Sequence, residues 1–419
     1  MENSWEYKKL IDLGTFSRGI SKHRPRNDQI LFENGKYPFI QTGDVKKANL
    51  YIKSNSDFYN ETGLAQSKLW PAGTLCITIA ANIAETGILA YPMCFPDSIV
   101  GFTANKKVSS EIFMYYVFEY LKQQIQNQAS GSIQDNINID YLTNLVLQVP
   151  DKQSQDNIVD ILSTLDKKII NNEEIISKLK MMVETIYDYW FLQFEFPNEE
   201  GKPYKSSGGK MVWNEELQQE IPEGWKVENL SNNTLTKIIK PGIDKFEGTK
   251  NYLETADVVG VDYTEGEEIT FENRVDRANM QPTKNSVWFA KMKDSVKHLF
   301  FNAEMRPLIE KSVLSTGFLG LQCSNESFEY ISAYIESEYF EKVKDQLAHG
   351  ATQQAINNTD LKYIRIVTPS DKVLNEFHEG TKNIYSLISQ KKMENMELVS
   401  MRDFLLPLLM NGQVIINKI

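Results

Sequence analysis

The chain of 419 residues carries 45 Lys and Arg against 56 Asp and Glu, a formal net charge of −11. This length allows two or three domains, and 41% apolar with 11% aromatic residues is typical of a folded globular protein rather than a disordered one. The longest apolar runs, such as Thr74–Ala81, are too short to cross a bilayer, and the amino terminus has no signal-peptide pattern, so we expect a cytoplasmic protein without membrane association.

Residues 1–150 have the pattern of a mixed domain of short strands and helices. The predicted elements, in order, are a strand that runs into a Gly-Asp turn over Tyr37–Val45, neighbouring buried strands over Leu75–Ala80 and Gly87–Tyr91, a helix over Ser110–Gln126, and a strand that carries Leu145, Leu147 and Val149. The last strand ends the domain at Pro150.

Residues 151–196 change to a heptad pattern, which predicts a coiled-coil spacer helix. About forty helical residues at ~1.5 Å each give a rod of roughly 60 Å. The seam positions, separated by alternating steps of four and three, are Ile158, Leu162, Leu165, Ile169, Asn172, Ile176, Leu179, Val183, Ile186 and Trp190. Residues 197–224 follow as a linker rich in Pro, Ser and Gly.

Residues 225–369 repeat the first domain, and residues 370–419 comprise a second copy of the spacer helix and a C-terminal tail. The stretch from Ala129 to Pro150 realigns without a gap, 219 positions later, on Ala348 to Pro369. Earlier in the repeat, Ile40–Val45 returns as Leu253–Val258 at an offset of 213, and the counterpart of Ile77–Asn82 is Phe289–Asp294. A match of this extent indicates a duplicated chain.

The second helix has a less regular stripe, which includes Ile384, Ile388, Leu398 and Leu405, and Lys391 interrupts it 219 positions after Asn172. Antiparallel pairing about a pseudo-twofold axis would bring Asn172 and Lys391 together as a polar layer that fixes register. The other interpretation is two unrelated residues that face solvent. The predicted fold is therefore α+β, with two similar domains separated by two long antiparallel coiled-coil helices and a pseudo-twofold internal repeat.

No catalytic motif occurs in the sequence. Four histidines, His23, His298, His349 and His378, form no His-Glu-x-x-His zinc site, and Gly-x-Ser-x-Gly, a phosphate-binding glycine loop and the Asn-Pro-Pro-aromatic tetrapeptide of amino-methyltransferases are missing. The cysteines Cys76, Cys94 and Cys323 lack metal-binding spacing and are interpreted as buried thiols.

Two basic clusters stand against the acidic net charge, which describes solubility rather than any local surface. Arg18–Arg26 holds four Lys or Arg and His23 within nine positions, and Lys284–Lys311 holds six Lys or Arg against three Asp or Glu. Solvated surface charge is the simpler interpretation of both clusters.

Several motifs in a fixed order resemble the specificity subunit of type I restriction-modification systems, over nearly the whole chain. The motifs are the duplicated Ala-x-Gly-(Ser/Ala)-x-Gln loop, Tyr189–Pro197, Tyr204–Trp213, Ile221–Trp225 and Leu405–Gln413. Lys291–Lys297 also resembles a segment of some target recognition domains, whereas Ala80–Glu85 in the first half departs from it.

This resemblance implies a non-catalytic subunit whose two target recognition domains each read half of a bipartite, asymmetric site on double-stranded DNA. It further implies two methyltransferase subunits docked on the helices, and restriction subunits that act as translocases. S-adenosylmethionine, ATP and Mg would bind to those partners, and this chain would bind no cofactor and no metal.

The candidate DNA-binding residues fall into two glycine loops and two basic clusters. The loops offer donors and small residues for close backbone approach, and Gln is able to pair with adenine, although a purely structural turn is the rival interpretation. The candidates are Gly131, Ser132, Gln134, Gly350, Thr352 and Gln353 in the loops, with Arg18, Lys22, Arg24, Arg26, Lys291, Lys293 and Lys297 as phosphate contacts. The candidate helix or partner interface is Ile169, Asn172, Ile176, Leu179, Trp190, Ile384, Ile388, Lys391, Leu398 and Leu405.

Two other functions are consistent with parts of the sequence. A scaffold with a coiled-coil spacer and two protein-binding domains would fit the acidic charge, and a fused enzyme would carry its own methyltransferase, whose motif is missing. We predict that replacing Lys291 and Lys293 by Ala weakens DNA binding and flattens its dependence on salt.

Overall fold

The computed structural model describes residues 5–130, 137–259, 262–263, 266–351 and 353–414. The chain divides into two compact units. Unit 1 comprises Met1–Asn171 and Asn395–Ile419, and unit 2 comprises Asn172–Glu394. Within the described ranges, no helix is long and apolar enough to cross a membrane.

Unit 1 is built from short strands, four helices of its own and parts of two long helices. Its strands are β1 Glu6–Lys9, β2 Gly14–Arg18, β3 Tyr37–Phe39, β4 Tyr51–Ile52, β5 Asp57–Tyr59, β6 Leu69–Trp70, β7 Leu75–Thr78, β8 Thr86–Leu89, β9 Met93–Cys94, β10 Ile99–Ala104 and β11 Val146–Val149. Its helices are α1 Thr42–Lys46, α2 Glu61–Ala65, α3 Glu111–Ser130 and α4 Ile139–Asn144, and the long helices are α5 Lys152–Tyr187 and α9 Asp371–Met410.

Unit 2 holds the remaining strands and helices. Its strands are β12 Met211–Asn214, β13 Gln219–Pro222, β14 Lys226–Asn229, β15 Thr236–Ile239, β16 Lys250–Leu253, β17 Val258–Val259, β18 Asp262–Tyr263, β19 Glu267–Ile269, β20 Ala278–Met280, β21 Ser286–Ala290, β22 His298–Phe301, β23 Ser312–Ser315, β24 Phe318–Cys323 and β25 Arg365–Thr368. Its helices are α6 Arg306–Lys311, α7 Phe328–Glu336 and α8 Glu338–Leu347. A π-helical turn, Asp188–Leu192, extends α5.

The two units share the strand order of both main sheets, except that unit 1 adds β4 at one edge, and this confirms the predicted duplication. In unit 1 the sheets run β2-β10-β7-β8-β4 and β5-β3-β9-β6, and in unit 2 they run β15-β24-β21-β22 and β19-β16-β23-β20. The middle pair of the second sheet is parallel in both units, β3 with β9 and β16 with β23. A separate two-stranded ladder completes each unit, β1 with β11 and β14 with β25.

The predicted hairpin of buried strands forms in both units with the same register. In unit 1, Ile77 pairs with Thr86, and in unit 2 Phe289 pairs with His298. Both partners are displaced by 212 positions, as the proposed counterpart of Ile77–Asn82 requires. All four residues of β7 and all five of β21 are buried. Continuous apolar runs such as these are typical of strands covered on both faces.

The prediction for Tyr37–Val45 was wrong beyond Phe39, because a short helix, α1, replaces the expected turn. The Asp44 carboxylate accepts a hydrogen bond from the Gln41 backbone N–H at 2.7 Å and so stabilises the first turn of that helix. The repeat preserves this device, since Asp257 accepts from the Glu254 backbone N–H at the same distance.

The segment predicted as a linker, residues 197–224, contains the hairpin of β12 and β13. Aromatic rings fix its start, because Phe196 stacks on Tyr204 with centroids 4.5 Å apart and on Trp225 with centroids 5.0 Å apart. A composition rich in Pro, Gly and Ser therefore marks turns here rather than a flexible chain.

Unit 1 pairs the first part of α5 with the last part of α9 in antiparallel fashion. Arg402 Nη1 donates to Asp166 Oδ1 at 3.0 Å, and the Tyr116 hydroxyl donates to Asp166 Oδ2 at 2.5 Å. Leu409 and Met410 are buried in the same apolar core as β7 and α3. The last turn of α9 is thus part of the core of unit 1.

Unit 2 pairs the rest of α5 with the start of α9, also antiparallel. The predicted polar layer forms there in a different way, because Asn172 and Lys391 meet through a third residue. Asn172 Nδ2 donates to Glu394 Oε2 at 3.0 Å, and Lys391 Nζ donates to the same oxygen at 2.7 Å. Farther along, the rings of Trp190 and Phe377 lie 5.8 Å apart.

All three cysteines are buried, as predicted from the sequence. Burial raises the pKa of each thiol, to about 11 for Cys94.

Replacing Arg402 by Met is expected to destabilise the protein by ~3 kcal/mol, since it leaves the buried Asp166 carboxylate without its cation. Urea unfolding followed by circular dichroism measures the loss. The matched control is Arg306→Met, which removes an exposed i,i+4 ion pair with Glu310 and is expected to leave the unfolding midpoint unchanged. Equal midpoints for the two variants would contradict the expectation.

Candidate nucleic-acid interface

In unit 2 the connection between β21 and β22, residues 291–297, lies against the glycine loop that the sequence predicted. The Ile356 N–H donates to the Lys291 carbonyl at 3.0 Å, and the Lys293 N–H donates to the Gln354 carbonyl at 2.9 Å. Two candidate regions more than fifty residues apart in sequence therefore form one surface. We call residues 291–297 the reading loop of unit 2, after the DNA contacts that the sequence predicts for its lysines.

The backbone at Gly350 requires glycine. Its φ is +130°, and a Cβ atom there would lie 2.6 Å from the Gln353 carbonyl oxygen. His349 and Ala355 exchange backbone hydrogen bonds of 3.2 and 3.1 Å across this loop, which closes it as a tight hairpin. The close turn exposes Gln353 beside Lys293, which is also exposed.

The three lysines of the unit 2 reading loop have different environments, which their shared type in the sequence did not indicate. Lys291 Nζ donates to the Thr316 carbonyl at 2.8 Å, and burial lowers the pKa of its ammonium. Lys297 Nζ donates to the Thr255 carbonyl. Both ammonium groups bind the protein itself, so Lys293 is the member of the trio best placed for a phosphate.

Unit 1 has the equivalent arrangement where the structure describes it. Residues 79–85 connect β7 to β8, and we call them the reading loop of unit 1. The Ile137 N–H donates to the Ile79 carbonyl at 2.9 Å, which is the counterpart of the bond from Ile356 to Lys291. Three predicted residues of the first glycine loop, Gly131, Ser132 and Gln134, lie outside the described residues, as does Thr352 in the second loop.

The basic cluster Arg18–Arg26 is exposed, but part of its charge is neutralised. Arg26 Nη2 lies 2.7 Å from Asp97 Oδ1, and Arg24 Nη2 lies 3.7 Å from Asp97 Oδ2. Lys22 is held by its backbone N–H, which donates to Gln66 Oε1 at 2.7 Å, so its ammonium extends from a fixed position. Arg18 ends β2 and is exposed.

A cleft of about 650 Å³ lies beside this cluster in unit 1. Its lining includes Arg26, Gln41, Thr42, Asp57 and Ser98. These residues supply one cation, one anion and neutral hydrogen-bonding groups. The loops that form it precede α1 and β10, whereas their counterparts in unit 2 carry the carbonyls of Thr255 and Thr316 that accept from the lysines.

The candidate helix residues are distributed between buried and partly exposed positions. Ile169, Asn172 and Ile388 are buried, and Ile176, Leu179, Trp190, Ile384, Lys391, Leu398 and Leu405 are partly exposed. Beyond the predicted set, Met182 in unit 2 and Met401 in unit 1 are exposed by 51% and 52%, at positions 219 residues apart. Their equal exposure at equivalent positions indicates a repeated surface.

Sequence reasoning missed the neutralisation of Arg24 and Arg26 by Asp97, because 71 residues separate Arg26 from its partner. It also missed the charged groups that bind beside the reading loops, which are buried in unit 2 and partly exposed in unit 1. The signal for those was present as a Glu-x-x-Lys motif that occurs in both halves, at Glu119 and Lys122 and again at Glu341 and Lys344.

Two lysines of the unit 2 reading loop allow a phosphate contact to be distinguished from a structural contact by experiment. Lys293→Ala is expected to reduce the slope of log K against log salt by about 1, the loss of one phosphate contact. Lys291→Ala is expected to leave the slope unchanged and to lower stability, because it removes the bond to Thr316. Salt titration of DNA binding with the partner subunits present measures the slope, and a larger change for Lys291→Ala would contradict this assignment.

Comparison with known proteins gives consistent matches. A family model described as the type I restriction modification DNA specificity domain matches residues 2–181. The type I restriction enzyme MjaIX specificity subunit of Methanocaldococcus jannaschii is 23% identical, with 99% of this chain and 94% of the relative covered. The HindI specificity subunit of Haemophilus influenzae is 22% identical, with 97% and 99% covered.

A solved structure supports the fold. The S subunit of a type I restriction-modification system from M. genitalium aligns with a TM-score of 0.56 at 16% identity, over 97% of this chain and 96% of that one. The chain is thus similar over nearly its whole length to specificity subunits of type I restriction-modification systems, and residues 2–181 match the model of their DNA specificity domain.

Proposed function

We propose that this chain directs a type I restriction-modification complex to a bipartite, asymmetric DNA sequence, with one half-site read by each unit. The observation that carries the proposal is the reading loop, which occurs twice on the same scaffold with different side chains. Unit 1 presents Ala80, Ala81 and Asn82 where unit 2 presents Met292, Lys293 and Asp294. Loops that leave equivalent strands but carry different side chains suit two different half-sites.

The chemistry of the exposed groups supports contact with DNA. In unit 2, Lys293 would contact phosphate, and Gln353 would offer both a donor and an acceptor to the edge of a base such as adenine. In unit 1, Arg18, Lys22 and the cluster around Asp97 would supply the phosphate contacts. Affinity would depend on these local charges despite the acidic net charge.

The proposal assigns catalysis to partner subunits. The chain would bind no cofactor, and S-adenosylmethionine would bind to two methyltransferase subunits, while ATP and Mg would bind to translocase and nuclease subunits. A role as a protein-binding scaffold is not favoured, since the matched relatives are specificity subunits over nearly their whole length.

Each methyltransferase would dock on one copy of a repeated apolar surface. In unit 2, Met182, Tyr189 and Leu192 are exposed on the last turns of α5 and the π-helical turn. In unit 1, Met401 and Phe404 are exposed on α9, Phe404 by 67%. Side chains of this size remain exposed at a cost in solubility, so their exposure favours a partner surface.

Methylation mapping tests the proposed function. Expression of this chain with its methyltransferase subunits, in a host that lacks other adenine methylation, is expected to produce methyladenine in one motif of two specified halves separated by a fixed number of unspecified bases. Omission of this chain is expected to abolish the motif. Methylation at a continuous or palindromic motif would refute a bipartite reader.

The docking surfaces are tested by charge insertion. Met401→Asp and Met182→Asp are each expected to remove one methyltransferase from the complex, because an unpaired carboxylate would be buried in an apolar contact. Native mass spectrometry counts the subunits, and Lys342→Asp on the exposed face of α8 serves as the control. Unchanged stoichiometry in both methionine variants would place the interface elsewhere.

A further inference from the structure

A buried charge cluster lies beneath the reading loop of unit 2. Lys344 on α8 has a fully buried side chain, and its Nζ donates to Glu341 Oε2 at 2.6 Å. Glu341 Oε1 lies 2.8 Å from His298 Nε2, and only 11% of the Glu341 side chain is exposed. Charged groups are rarely buried to this degree unless each has a partner.

The cluster holds the reading loop directly. Lys344 Nζ also donates to the Ser295 carbonyl at 3.0 Å, and Ser295 lies in the middle of the loop. One residue earlier, the Asp294 N–H donates to Asp345 Oδ1 at 3.2 Å, so α8 binds the loop at two consecutive residues. His298 begins β22, where the loop ends. A buried ammonium with fixed partners restricts the loop to one conformation, because another conformation would leave the charge unsatisfied.

Unit 1 anchors its reading loop at the equivalent carbonyl with different side chains. Gln126 Nε2 on α3 donates to the Ile83 carbonyl at 3.0 Å, and Ile83 stands 212 positions before Ser295. The same displacement relates Thr86 to His298, and the Thr86 hydroxyl donates to Glu119 Oε1 at 2.6 Å. Lys122 Nζ lies 2.7 Å from Glu85 Oε2, at the end of the loop.

The anchoring glutamate and lysine are repeated as a pair, since Glu119 and Lys122 precede Glu341 and Lys344 by 222 positions. The Glu keeps its bond to the first residue of the returning strand in both units, whereas the donor to the loop carbonyl changes from Gln126 to Lys344. The loop carbonyl accepts a side-chain hydrogen bond in both units, although the donor differs. This indicates that the loop needs the hydrogen bond to keep its conformation.

We propose that Gln126 in unit 1 and Lys344 in unit 2, with the glutamates Glu119 and Glu341 beside them, are positioning residues that set base discrimination in the half-site that each unit reads. The proposal rests on the proposed function. The anchors contact no DNA; they hold the backbone of the loop whose exposed side chains meet it. Their loss therefore relaxes specificity without removing a phosphate contact.

The experiment compares Lys344→Met and Gln126→Met in the full chain with its methyltransferase subunits. Methyladenine mapping of host genomic DNA gives the base preference at each position of both half-sites. Each variant is expected to lose about tenfold in discrimination in one half-site, and the two variants are expected to relax opposite half-sites. The salt slope of binding is expected to stay that of the wild type.

Lys342→Met is the matched control, because it removes a neighbouring exposed lysine of the same helix. It is expected to leave both half-sites stringent. The proposal is overturned if folded Lys344→Met and Gln126→Met leave both half-sites unchanged, or if either variant relaxes both half-sites together.

Two further outcomes distinguish failure of the proposed function from failure of the positioning role. Absence of a bipartite motif with the wild-type chain would refute the proposed function itself. Complete loss of methylation by Lys344→Met, with a lowered melting temperature, would assign Lys344 to folding and overturn its positioning role. Gln126 is less buried, so Gln126→Met would still decide whether the loop anchor of unit 1 sets base discrimination.

Discussion

The antiparallel pairing of α5 with α9 is the contact on which each unit depends. In unit 1 the pairing is secured by Arg402 and Asp166, whose buried carboxylate also accepts from Tyr116 on α3. One carboxylate on α5 thus binds both α9 and α3. Removal of Arg402 would leave the Asp166 carboxylate buried without its cation, which destabilises the protein although the pair adds little net stability by itself.

Duplication supplied the chain with two copies of one scaffold, and the copies have diverged where the scaffold permits. The buried strands β7 and β21 keep their register against their neighbours, because a slip of one residue would turn every core side chain outward. The loops that follow those strands are free of this constraint. The loop of unit 1 contains Ala80, Ala81 and Ala84, whereas unit 2 uses Lys291 and Lys297 to bind the surrounding carbonyls.

Much of the architecture was predictable from the sequence. The heptad pattern predicted α5, the constant offset predicted the repeat, and continuous apolar runs predicted β7 and β21. Periodicity and duplication are visible in the sequence without knowledge of the fold. The helix α1 was missed because it depends on a hydrogen bond from Gln41 to Asp44, which a Gly-Asp pair does not reveal. The segment 197–224 was interpreted as a linker because composition does not show the stacking of Phe196 on Tyr204 and Trp225.

The candidate site was predictable in outline but not residue by residue. Gly350 and Lys293 were identified from the sequence and lie close together, since the repeat marks the loop and charge marks the surface. For Lys291 and Lys344, residue type is a poor guide to position. A lysine usually indicates an exposed side chain, whereas each of these two binds a backbone carbonyl within the fold. Such contacts depend on the three-dimensional approach of segments that no local pattern connects.

The composition of unit 1 from both ends of the chain has a consequence for its biosynthesis. A ribosome releases residues in order, and the core around Leu10 and Leu75 has to wait for Leu409 and Met410 before it is complete. Unit 2 is continuous from Asn172 to Glu394 and is able to close while the polypeptide is still being made. The half that is translated first is therefore the half that completes its core last.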